Sequence, residues 1–75
     1  MNKKRREQIY AVISQLKINE DRLRLILAEE ENAFDSMPEN LQSSLRGEES
    51  EEAIDILTDA VDDLSKIIDE LYDIQ

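Results

Sequence analysis

The chain has 75 residues, with 19 Asp/Glu against nine Lys/Arg, one Gly, one Pro, no Cys and no His. Without Cys or His it has no disulfides, no thiolate zinc site, no cysteine nucleophile and no imidazole base or metal ligand. A net charge of −10 opposes direct contact with DNA, RNA or anionic lipid, and so few turn residues disfavour a sheet.

The first expected element is a helix from about residue 3 to 35. It opens on Lys3-Lys4-Arg5-Arg6, but polar residues soon follow, unlike the unbroken apolar run of a signal peptide. No stretch approaches the length of a membrane span, so a cytoplasmic protein with no membrane partner is expected. Apolar residues recur every seven: Ile9, Leu16, Leu23 and Met37 in one column, Val12, Ile26 and Ala33 in the next. Ile13, Leu27 and Phe34 widen the stripe, and Asn19, Glu20 and Glu30 interrupt it. Asn19 reads as a polar position that sets register.

A break follows at about 36–47. Ser36-Met37-Pro38-Glu39 reads as an N-cap with Glu three residues on and Pro in the first turn. Leu41 and Leu45 would cover the bend, with Gly47 as a C-cap.

The last helix is expected over about 48–74. Ile54, Leu57, Val61, Leu64, Ile68 and Leu71 alternate at spacings of three and four, flanked by Ala53, Ala60, Ile67 and Ile74. Residues 1–47 hold eight Lys/Arg and eight Asp/Glu, whereas 48–75 hold eleven Asp/Glu and Lys66 alone. All of the net charge therefore belongs to the last helix.

Two long helices with a short connection pack antiparallel. The expected fold is a single all-α domain over residues 1–75: an antiparallel helical hairpin with a short helical turn at its bend. Antiparallel packing would set Lys3, Lys4, Arg5 and Arg6 beside Asp69, Glu70 and Asp73. It would likewise set Lys17, Arg22 and Arg24 beside Asp59, Asp62 and Asp63, and bring Tyr10 near Tyr72. Each helix has three apolar columns where a two-helix seam needs two. Ile13, Leu27, Phe34, Ile67 and Ile74 are then left over. Ordering costs about 1.5 kcal/mol per residue, so a chain this short is expected to cover them by forming a homodimeric four-helix bundle.

Three features bear on function. Asp55, Asp59, Asp62, Asp63, Asp69, Glu70 and Asp73 repeat with the helical period away from the seam. Such a row either imitates nucleic-acid phosphates towards a basic groove or simply solvates the helix. Ile18, Leu25 and Ile56 lie off the main stripe, as anchors for a protein partner or as scattered surface aliphatics. Carboxylates at Glu29, Glu30, Glu31, Asp35, Glu70 and Asp73 raise a Mg²⁺ hydrolase of the MazG type, which carries EExxE followed by ExxD. Glu70-Leu71-Tyr72-Asp73 matches the second half, but the first fails at Phe34, and antiparallel packing separates the two parts. A di-iron site would need Glu-x-x-His.

Glu29 to Gln42, EEENAFDSMPENLQ, resembles a set of short acidic helical proteins of Firmicutes phages and mobile elements. These also begin with a basic helix and end with an acidic one. The resemblance implies a phage or mobile-element setting, where small acidic proteins often look like inhibitors of host or defence enzymes. The expected function is a non-enzymatic protein–protein interaction module or modulator without cofactor. The alternative is a nucleic-acid mimic using the last helix, and the third reading is the carboxylate-metal hydrolase.

Overall fold

In the computed structural model, which describes residues 1–74, Asn2 opens the first helix: its side chain accepts a hydrogen bond from the Arg5 N–H at 2.9 Å. Helix α1 spans Lys3–Asp35. It stops at Ser36, where Met37 precedes Pro38 and the helical region is disfavoured for a pre-proline residue. One turn of helix, α2 (Glu39–Gln42), follows. The longer α3 spans Leu45–Tyr72. The chain is all-α, with no strand among the described residues.

The bend differs from its sequence reading. Ser36 caps the end of α1, and Pro38 itself is the N-cap of α2, with no side-chain capping bond. Pro38 O instead accepts from the Leu41 and Gln42 N–H groups. Gln42 Nε2 turns back and donates to Phe34 O at 3.1 Å, which also accepts from the Met37 N–H, and to Met37 O at 3.3 Å, tying α2 to the end of α1. Ser44 caps α3, its Oγ accepting from the Gly47 N–H at 3.4 Å. Gly47 is therefore no C-cap. It lies in the first turn of α3, buried, where a Cβ would overlap the Gln42 carbonyl and approach Leu41 O to 2.6 Å.

α1 and α3 pack along one another in opposite directions: Glu30 meets Ser50 near the bend, and Lys17 meets Tyr72 at the other end. The molecule measures 58 × 14 × 12 Å, with a radius of gyration of 17.2 Å. A compact domain of this length would give about 11 Å. Such a rod has a thin core, and among the described residues only Ile13, Val61 and Ile68 are buried apolar side chains.

The seam uses a different column of α1 from the one read in sequence. Ile13 is 1 % exposed, and Leu27 and Phe34 are half-buried, so these three face α3 rather than remaining for a second copy. Val12 and Ile26, expected in the seam, are 52 % and 48 % exposed. Both columns continue Ile9, Leu16 and Leu23. Facing the column of Ile13, Leu27 and Phe34 inward covers more apolar surface than covering Val12, Ile26 and Ala33 would. It also brings in Glu20, while Asn19 stays exposed. The polar seam positions are accordingly Glu20 and Glu30.

Candidate functional site

A period of 3.6 residues assigns each side chain of the helix pair to a face. Lys17 and Tyr72 mark one flank. Seven-residue steps from them add Tyr10, Arg24 and Glu31 on α1, and Glu51, Thr58 and Ser65 on α3. This flank is polar. Near the bend it forms an open groove floored by Phe34 and Ile54 and walled by Glu31, Asp35, Glu51 and Asp55.

At the far end of this flank the Lys17 ammonium lies 4.9 Å from the Tyr72 ring centroid, a cation–π geometry. A hydrogen bond with Tyr72 and then the charge of Tyr72 raise the Lys17 pKa above its ordinary 10.5, with Glu20 and Asp69 adding to the effect. Tyr10, expected beside Tyr72, is exposed.

The opposite flank is apolar. Val12, Ile26 and Ala33 lie along α1, Ala53, Ala60 and Ile67 along α3, and Ile74 follows just past its end. Eleven residues separate Ile56 from Ile67, about 20° around a helix, so Ile56 joins this flank. Ala33 and Arg46, one heptad before Ala53, line a common groove at the bend with Met37, Pro38 and Leu41. Ile67, at 47 %, and Ile74 are both exposed here. Of the residues assigned in sequence to a dimer core, these two lie on the flank, and Val12 and Ile26 accompany them.

Ile18, Leu25 and Ile56 are all exposed, but they do not share a face. Ile18 and Leu25 lie seven apart on the outer side of α1, about 80–100° from Ile26. Ile56 belongs to the apolar flank.

The third face is the outside of α3. Asp55, Asp59, Asp62, Asp63, Asp69, Glu70 and Asp73 are all exposed along it. At 1.5 Å per residue they cover about 27 Å. The ion pairs among the described residues are Lys3–Glu7 at 3.9 Å and Arg24–Glu20 at 3.8 Å, each one turn apart within α1. The cross-helix pairs expected from Lys3–Arg6 and from Lys17, Arg22 and Arg24 do not form. For the first cluster the reason is register: with Lys17 reaching Tyr72, residues 3–6 project beyond the end of α3.

No group of three or more Asp/Glu among the described residues is arranged to hold a metal ion. Glu30 meets Ser50 near the bend, far along the rod from Glu70 and Asp73. No described helix is long and apolar enough to cross a membrane. Comparison with family models, curated proteins and solved structures finds no match.

Proposed function

We propose that this chain is a non-enzymatic protein-interaction module: a helical hairpin that pairs with a second copy through its apolar flank and offers Ile18 and Leu25, exposed on the outer side of α1, to a protein partner. One observation carries the reading. Val12, Ile26, Ile56, Ile67 and Ile74 stand exposed along a single flank, while only three apolar residues among those described are buried. Large exposed apolar strips mark association surfaces.

Sedimentation tests the pairing. The wild-type chain is expected to sediment as a dimer at micromolar concentration. Ile67→Asp should give a monomer that keeps its helical circular dichroism. A folded wild-type monomer would remove this reading.

A second reading, nucleic-acid mimicry, draws on the carboxylate row from Asp55 to Asp73, which is exposed and makes no ion pair among the described residues. It requires competition with duplex DNA for a basic groove, weakened by salt and lost when Asp59, Asp62 and Asp63 become Asn. The module requires binding that persists in salt and depends on apolar positions. The hydrolase reading requires turnover of nucleotides with Mg²⁺, and an inert chain removes it.

A further inference from the structure

The exposed surface of one chain is larger than its mass calls for. It totals 5712 Å², against about 4,700 Å² for a compact monomer of 8.7 kDa. The excess of about 1,000 Å² is comparable to the roughly 800 Å² that each partner contributes to a standard interface. A second copy of the chain would therefore remove about the area by which this one departs from a compact monomer.

Charge then selects how that copy docks. α3 carries ten Asp/Glu against two Lys/Arg, a net of −8, whereas α1 carries seven of each. Stacking flank on flank with like helices adjacent would set one −8 helix against another. Unlike helices adjacent avoid this.

The rims of the flank agree. Arg22 lies four residues before Ile26 on α1, and Asp63 four before Ile67 on α3, so each borders the apolar strip on its outer side. The Glu30–Ser50 contact sets residue 58 opposite Arg22 and the Lys17–Tyr72 contact sets residue 67 there, so Asp63 lies midway between the two, within about 8 Å of Arg22 along the rod. Both are exposed, and neither pairs across the helices of its own chain.

Resting on the dimer reading above, we infer that the second copy docks with its α1 against this α3 and its α3 against this α1, about a two-fold axis parallel to the helices. Arg22 of each copy then faces Asp63 of the partner subunit. The bundle alternates neutral and anionic helices around its circumference, and the two α1 helices lie on a diagonal.

Sedimentation equilibrium at low salt tests this with the wild type, Asp63→Arg and the double variant Arg22→Asp/Asp63→Arg. Both positions are exposed, and circular dichroism checks that each variant keeps its helices. Asp63→Arg is expected to weaken the dimer about tenfold, because two copies of the pair turn from attraction to repulsion. The double variant restores the charge pairing and should recover most of the loss. A monomeric wild type would overturn the dimer and this arrangement together. A wild-type dimer that Asp63→Arg leaves unchanged or tightens would overturn the arrangement alone, tightening being the sign of α3 stacked on α3. Failure of the double variant to recover would overturn the Arg22–Asp63 pairing.

Discussion

Ser50 Oγ donates a hydrogen bond to Glu30 Oε1 at 2.7 Å, joining a buried serine of α3 to a seam carboxylate of α1 twenty residues earlier. The pair occupies seam positions where aliphatic residues would otherwise meet. It ties the start of α3 to the last third of α1. Ser50→Ala leaves the carboxylate without this donor and is expected to cost about 1–2 kcal/mol. Replacing both, as Glu30→Leu/Ser50→Ala, should recover most of that loss, because no polar group is then stranded. Urea unfolding of the two variants beside the wild type checks both statements.

Glu20 presents the opposite case. Its Oε2 is buried without a hydrogen bond, and its side chain is only 16 % exposed, with Arg24 Nη2 at 3.8 Å. A carboxylate in a seam with so loose a partner gives up apolar contact and gains little. Glu20→Leu is expected to stabilise the chain by about 1 kcal/mol. In a chain of this size that raises Tm by roughly 4–8 °C in a thermal scan.

Gly47 tests the bend. Helix propensity alone favours Ala at a helical position by about 1 kcal/mol. A Cβ at Gly47, however, would overlap the Gln42 carbonyl and crowd Leu41 O. Backbone must move to admit it, at a cost of about 1–3 kcal/mol. Gly47→Ala is accordingly expected to destabilise, against the propensity scale, and denaturant midpoints decide the sign.

Lys17 supplies a pH dependence. Its pKa lies above 10.5 in the folded chain, chiefly through the hydrogen bond and charge of Tyr72. A raised folded value means that the contribution is fully present below 10.5 and is lost as pH rises through the higher folded value. Lys17→Met should therefore melt below the wild type at neutral pH, with the gap closing at strongly alkaline pH. Because Lys17 is exposed, the gap is expected to be small and to shrink in salt. Melting curves of both proteins across that range check it.

Much of this was legible in the residues. The seven-residue columns, the lack of turn residues and the Ser36–Pro38 break carry the all-α character and the position of the bend. The segregation of charge into the last helix is visible by counting. The anionic row and the pair Ile18 and Leu25 could be placed on helix faces from spacing, whereas Ile56, read as a third outlier, belongs to the apolar flank. The role of Gly47 was not legible. One glycine after a helical turn suggests a C-cap, and only the packing of α2 against the start of α3 shows a close approach instead.

By itself, then, the chain determined where it would be helical, which helix would be amphipathic and where the negative charge would fall, because these depend on local period and composition. Only the tertiary structure decided which column of α1 turns inward, and so whether Ile13 or Val12 is covered. Both columns extend Ile9, Leu16 and Leu23 equally well, and the choice belongs to the helix packed against them. The same packing left Arg22 and Asp63 on the rims of an uncovered strip, a relationship that no spacing within one helix contains.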